Sequence, residues 1–272
     1  MSIPSDWRAA ALSITCGFET TGDPYMMVAG DFDRMGISCG ALQWNIGSNS
    51  LQPLIQSAGE SVVRSAMPTY GVKMWEACTA SVSRGLAIVR TFQKKNAKGQ
   101  PDLLPAAKAE LRALMGTPEV RAQQDLAIDQ KAKRAFELAE RWARERDQTQ
   151  PSKRLYCWMF DIATQNSSLE GQTPKTVAQF IAANRPDKVD DLICDYLKSF
   201  KGKGHEFDAR RNAARWQNQA AGEKLELLCL TYLRAQTSKQ EWRHVVINRK
   251  GSIAMGSGWV NSSLHDFGRF GL

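Results

Sequence analysis

Residues 117–146 carry the longest helical pattern in the chain, and this pattern most restricts what the chain can fold into. Thr117 and Glu119 supply capping chemistry at its start. The apolar residues recur every three or four positions and form one stripe: Val120, Ala127, Ile128, Ala135, Phe136, Ala139 and Trp142. Because such a stripe must be buried against other elements, the sequence predicts a mainly α-helical protein.

The same periodicity predicts helices on both sides of this segment. They cover residues 5–19, 51–66, parts of 71–97, 101–116, 153–167, 174–185, 187–200, 206–236 and 238–246. Residues 20–50 are rich in Gly, Asp, Asn and Ser, which predicts loops and a short hairpin with GALQW as a strand candidate. Residues 247–272 are rich in Gly and Ser and predict a packed, irregular end.

The net charge of +8 and the pI near 9.2 call for an anionic partner. Nucleic acids, anionic membranes and acidic polymers such as the bacterial cell wall all qualify. The basic residues are dispersed, without interleaved aromatics or a zinc-finger or RNP pattern, which disfavours nucleic acid. A basic surface that only aids hydration explains the charge equally well. No apolar run reaches the roughly 18 residues of a membrane helix, so we expect no membrane insertion.

The N-terminal stretch has no basic segment ahead of its apolar part, so we expect synthesis in the cytoplasm without a signal peptide. The six cysteines are scattered and predict buried, reduced thiols rather than disulfides or metal ligands. No phosphate-binding glycine loop and no histidine pair with ligand spacing is present. The sequence therefore predicts no metal and no cofactor.

Carboxylates are the strongest candidates for chemistry. Glu19 ends an apolar helix, where burial would raise its pKa, whereas Asp31 and Asp33 follow in a polar, glycine-containing stretch. Cleavage of a glycosidic bond needs one protonated acid and one ionised carboxylate. The alternative is that Glu19 merely ends a helix and that the aspartates form turns.

The order of residues around these carboxylates resembles the catalytic region of the family-46 chitosanases and their peptidoglycan-cleaving relatives in the lysozyme superfamily. The matching residues are Phe18-Glu19, then Asp33-Arg-Met-Gly-Ile-Ser38-Cys-Gly40, then Leu42-Gln43-Trp44-Asn45. FDIATQNSS (160–168) and the RKGSIAMGSGWV ending (249–260) are also similar. Some of these relatives are fused to type VI secretion spike proteins, and others resemble phage endolysins.

This resemblance implies an α+β, lysozyme-like fold, in which a helical bundle and a small loop and β-hairpin region form a catalytic cleft between two lobes. It implies one domain over residues 1–272, divided into a catalytic segment 1–50, a helical remainder 51–246 and an irregular segment 247–272. An inverting mechanism would place the two carboxyl groups about 6.5–9.5 Å apart.

The resemblance also assigns roles to individual residues. Glu19 would be the general acid, Asp33 the general base, and Ser38 the hydroxyl that helps to place the attacking water. The sugar-binding residues would be Asp31, Gln43, Trp44, Asn45 and Asn166. Asp31 stays open as an alternative base because it lies two residues from Asp33.

We therefore expect a muramidase-like glycosidase that cuts peptidoglycan strands, because a chain at +8 suits an anionic wall better than polycationic chitosan. It would be an antibacterial effector or lysin that acts in the periplasm or cell wall of a target bacterium after secretion or lysis. An immunity protein that blocks the cleft and a secretion spike or chaperone are the expected protein partners. A catalytically inactive wall-binding module, a chitosanase and a nucleic-acid-binding protein are the alternatives, and the bond that is cut stays open.

Overall fold

The computed structural model describes residues 3–18, 22–31, 33–97, 99–166 and 168–272, and these are mainly α-helical. They form thirteen α-helices and three small antiparallel sheets, which confirms the mainly α prediction. Within these residues, no helix combines the length and apolar character that crossing a membrane requires.

The helices cover both the N-terminal and the C-terminal parts of the chain. They are α1 Ser5–Gly17, α2 Leu51–Ala58, α3 Glu60–Ala66, α4 Gly71–Thr79, α5 Val82–Arg90, α6 Pro105–Met115, α7 Pro118–Arg144, α8 Lys153–Gln165, α9 Pro174–Ala183, α10 Val189–Lys198, α11 His205–Trp216, α12 Glu223–Gln236 and α13 Arg243–Met255.

The strands are short and pair only in antiparallel sheets. β1 Val28–Ala29, β2 Ser38–Cys39 and β3 Trp44–Asn45 form one sheet in that order. β4 Gln93–Lys95 pairs with β5 Pro101–Leu103, and β6 Ser257–Val260 pairs with β7 Ser263–Asp266. The last hairpin sets Trp259 opposite Leu264.

The chain forms two compact units. One unit comprises Met1–Glu19 and Lys131–Leu272, and its core contains large, fully buried side chains such as Trp158, Tyr156 and Trp216. The other comprises Thr20–Gln130, and its core contains fully buried side chains such as Phe92, Ile37 and Ile55.

Several predicted boundaries need correction. The predicted helix 51–66 is broken at Gly59, whose φ of 95° is incompatible with an α-helix. The first residues of the predicted helix 101–116 instead form β5. The prediction of an irregular segment 247–272 is wrong for residues 247–266, since α13 continues to Met255 and the β6–β7 hairpin follows.

The C-terminal helix was missed because α13 has no apolar stripe. Its second half is buried on all sides and includes Arg249 and Lys250 among its buried residues. A helix that is surrounded by protein does not alternate between polar and apolar faces, so periodicity does not reveal it.

Candidate functional site

Glu19, the predicted general acid, lies outside the described residues, so its distance from the aspartates stays a prediction. The residues that can be placed form two groups, one in each compact unit. The first group follows β1 in the unit Thr20–Gln130, and the second adjoins the end of α1 in the other unit.

Asp31 supports the loop that connects β1 to β2. Its Oδ1 accepts a hydrogen bond from the backbone N–H of Gly36 at 2.7 Å, and its Oδ2 accepts one from Arg90 Nε at 2.7 Å. The side chain is only 10% exposed. Both oxygens are therefore engaged within the protein, which gives Asp31 a structural role.

Asp33 lies in the same loop but is exposed. Its Oδ1 accepts a hydrogen bond from the backbone N–H of Met35 at 3.0 Å. In the described part of the chain, Oδ2 has no hydrogen-bond partner, so one oxygen can accept a proton from a bound molecule. Of the two candidate bases, Asp33 has the more available carboxylate.

The two aspartates should respond differently to the same substitution. We expect Asp31→Asn to lower the free energy of unfolding by about 1–2 kcal/mol, because the charge-assisted bond from Arg90 is weakened. Asp33→Asn should change it by less than about 0.5 kcal/mol, since Asn can still accept the bond from Met35. Urea unfolding of both variants measures this difference, and equal losses would show that Asp33 also supports the loop.

Ser38 and Trp44 are packed inside their unit. Ser38 lies in β2 at 3% exposure, and Trp44 in β3 at 7%. A Cβ on Gly40, whose φ is 76°, would lie 2.9 Å from the Trp44 ring. This close contact explains the glycine, and it leaves the ring without the open face that stacking on a sugar needs. The structure therefore counts against a stacking role for Trp44.

Gln43 and Asn45 make local bonds. Gln43 Nε2 donates to the carbonyl oxygen of Gly40 at 2.9 Å, and Asn45 Oδ1 accepts from the backbone N–H of Ser48 at 2.8 Å. Both side chains thus stabilise the turns on either side of β3. Their predicted contacts with sugar stay predictions.

Asn166 follows α8 in the other unit and differs from these residues. Its Oδ1 is buried, and no described residue donates a hydrogen bond to it. A buried carbonyl oxygen without a donor is uncommon and costs free energy unless a ligand or water supplies the bond. The role of Asn166 in binding a sugar stays a prediction.

A buried cluster of three charged side chains links α8 to α13. Arg249 Nε donates to Asp161 Oδ1 at 2.7 Å, and Lys250 Nζ donates to Asp161 Oδ2 at 2.8 Å. Their side-chain exposures are 5% for Arg249 and 0% for both Asp161 and Lys250. When all three are ionised, the cluster carries one net positive charge and favours an anion near it.

The end of α1 packs on this cluster. Arg249 Nη2 donates to the carbonyl oxygen of Thr15 at 3.1 Å, and its Cζ lies 4.7 Å from the centroid of the Phe18 ring. The carbonyl oxygen of Phe18 accepts a hydrogen bond from Asn261 Nδ2 at 2.6 Å. The last described residue before Glu19 is therefore held between a buried cation and the turn of the β6–β7 hairpin.

The charges in the cluster shift the pKa values of its members. Burial alone would raise the pKa of Asp161, but Arg249 and Lys250 outweigh it and hold that pKa below its usual value. Burial lowers the pKa of Lys250 in spite of Asp161, because this ammonium shares its carboxylate with Arg249. Asp161 is thus a firmly ionised carboxylate.

Sequence reasoning did not single out this cluster as part of the site. Its members lie in FDIATQNSS (160–168) and RKGSIAMGSGWV (249–260). The sequence signal that could have revealed the cluster is the pair of adjacent cations, Arg249 and Lys250, directly before the largely apolar segment 251–260. That pattern does not show which carboxylate pairs with them, since Asp161 is 88 positions away from Arg249.

The described residues contain no group of three metal-ligating side chains. No protein-family model, curated protein or solved structure matches the chain.

Proposed function

We propose that this protein is a glycoside hydrolase that cleaves the glycan strands of peptidoglycan. In this proposal Glu19 is the general acid and Asp33 the general base of an inverting reaction within a lysozyme-like fold. The observation that carries it is the buried Asp161–Arg249–Lys250 cluster against the end of α1, directly before Glu19 in the chain.

The cluster supports an acid at position 19 for an electrostatic reason. When a general acid gives its proton to the leaving oxygen, it becomes a carboxylate, and nearby cations stabilise that charge.

The aspartate loop supports the second role. An inverting glycosidase needs an ionised carboxylate that can accept a proton from water. Asp33 is exposed and has one oxygen without a partner among the described residues, whereas both oxygens of Asp31 are engaged. We therefore assign the base to Asp33 and a supporting role to Asp31.

The charge of the chain favours the substrate class. Chitosan is a polycation and would be repelled by a protein with a net charge of +8, whereas bacterial wall polymers are anionic. An antibacterial effector or lysin, delivered to the wall of a target bacterium, is the biological role that fits this substrate. An immunity protein and a secretion spike or chaperone are the partners that such a role would require.

Digestion of purified sacculi tests the proposal. We expect release of soluble muropeptides with new reducing ends, detected by mass spectrometry, and the inverted anomer as the first product in NMR spectra. Chitosan should be cut at a much lower rate under the same conditions. Sacculi that retain the protein without any soluble product would contradict the proposal and favour a wall-binding module.

A further inference from the structure

Arg211 packs against two aromatic rings. Its Cζ lies 4.1 Å from the centroid of the Phe207 ring and 4.0 Å from the centroid of the Trp259 ring. Contact with two rings restricts the orientations that the guanidinium can take. Its side chain nevertheless remains 34% exposed, and the Phe207 residue is 42% exposed.

The fold positions both rings independently of Arg211. Phe207 precedes Arg211 by one turn of α11, so the two side chains share a helix face. The backbone N–H of Trp259 donates to Asn212 Oδ1 at 2.6 Å, and Asn212 Nδ2 donates back to its carbonyl oxygen at 2.9 Å. Since Asn212 is fully buried, Trp259 is anchored to the core of its unit.

The donors of Arg211 are not used within the described part of the chain. The nearest carboxylate oxygen is Asp208 Oδ1 at 4.0 Å, which attracts the charge but is too far for a hydrogen bond. The other oxygen of Asp208 accepts from the backbone N–H of Ser262 at 2.7 Å. Arg211 makes no hydrogen bond to any described residue.

The neighbouring arginines on α11 behave differently. Arg210 donates to the carbonyl oxygens of Phe200 at 2.7 Å and Gly202 at 3.0 Å, and Arg215 Nε donates to Ser257 Oγ at 2.9 Å. These two arginines stabilise the protein itself. Arg211 alone among the three is both fixed in orientation and left with free donors toward solvent.

We propose that Arg211, clamped between Phe207 and Trp259, binds a carboxylate on the peptide stems of peptidoglycan strands. A planar guanidinium with fixed orientation matches a carboxylate through two parallel hydrogen bonds, and little side-chain entropy is lost on binding. The rings have a face covered by Arg211, which disfavours stacking of nucleic-acid bases. This inference rests on the proposed function, because that function supplies the glycan strand.

The location of the clamp agrees with this assignment. Trp259 lies in β6, and Asn261 in the turn of the same hairpin donates to the carbonyl oxygen of Phe18 at 2.6 Å. The clamp therefore belongs to the hairpin that contacts the end of α1. A glycan strand bound along this hairpin would present a stem carboxylate to Arg211.

Binding of a soluble disaccharide–tetrapeptide, measured by calorimetry in the Glu19→Gln background, tests the clamp without interference from cleavage. We expect Arg211→Gln to weaken binding roughly 10- to 100-fold, which is the scale of a lost charge-assisted pair. Arg211→Lys should weaken it nearly as much, because an ammonium cannot make two parallel bonds. Arg144→Gln, an exposed position on α7 of the same charge, should have no effect.

A chemically matched ligand makes the test specific. In the modified muropeptide, the carboxylates are converted to methylamides. The protein that keeps Arg211 should bind this ligand as weakly as Arg211→Gln binds the natural muropeptide. The modified ligand should lose no further affinity in that variant, since the two changes remove one interaction. Additive losses, or no effect of Arg211→Gln, would overturn the proposal. If the melting temperature of Arg211→Gln differs from that of the parent protein, Phe207→Leu replaces this variant. We expect Phe207→Leu to lose less affinity, and the loss should again depend on the ligand carboxylates.

Two further outcomes separate the clamp from the proposed function. In the first, the wild-type protein does not cut sacculi, while muropeptide binding still depends on Arg211 and on the ligand carboxylates. That result would support the Arg211 proposal and refute the proposed glycosidase function. Binding of a single-stranded DNA oligonucleotide that depends equally on Arg211 would show a general polyanion surface and overturn the clamp.

Discussion

Replacing Glu19 by glutamine is expected to lower the rate of muropeptide release by about 10²- to 10⁴-fold, the usual contribution of a general acid. Glutamine keeps the size of the side chain but has no proton to give to the leaving oxygen. Release of reducing ends from sacculi under saturating conditions measures the change. The melting temperature should stay close to that of the wild type, because the substitution removes a charge without changing the volume.

Glu241→Gln is the matched control for this experiment, since Glu241 is exposed and lies in a 3₁₀ turn near α13. Its rate should equal that of the wild type. If Glu19→Gln also released muropeptides at the wild-type rate, another residue would have to be the acid. The position of the Asp161–Arg249–Lys250 cluster would then need a purely structural explanation.

The Asp161→Asn variant is expected to lose about 3–5 kcal/mol of unfolding free energy, the usual result of removing one partner from a buried ion pair. Asparagine would leave Arg249 and Lys250 with two buried positive charges and without the carboxylate that compensates them. Urea unfolding measures the loss. Asp195→Asn removes a carboxylate that is 70% exposed and paired with Lys198, and it should cost less than about 1 kcal/mol.

The pH dependence of stability provides a second measurement on the same group. Because the folded-state pKa of Asp161 is lowered, its stabilising contribution is complete above the unfolded-state value of about 4 and is lost as the pH falls below it. Wild-type protein should therefore lose more stability between about pH 4 and pH 2 than Asp161→Asn does. Equal losses of stability in the two proteins over this pH range would show that the cluster does not hold Asp161 ionised.

The positions of many helices could be predicted from the sequence. The stripe of residues 117–146 corresponds to α7, and the predicted helix starts at residues 153 and 174 agree with those of α8 and α9. These elements are amphipathic or capped, so their signals depend on neighbours within one or two turns. The same reasoning failed for α13, whose buried second half has no polar face.

The candidate site was only partly accessible in this way. The motif favoured Asp33 as the base and left Asp31 open, and the bonds from Gly36 and Arg90 to Asp31 give that residue a supporting role. Trp44 is the residue type that stacks on sugars, but it is only 7% exposed in the fold. Exposure of a side chain depends on elements distant in sequence, which a local motif does not contain.

The sequence by itself determined a mainly helical chain, a basic surface and the candidate carboxylates, because each of these follows from residue type and short-range spacing. Tertiary structure alone decided which charges meet. Asp161 finds Arg249 and Lys250 across 88 and 89 positions, and Arg211 finds Trp259 across two different elements. Such pairs form because buried charges must be compensated and rings must be packed, and the folded chain, rather than local order, selects the partners.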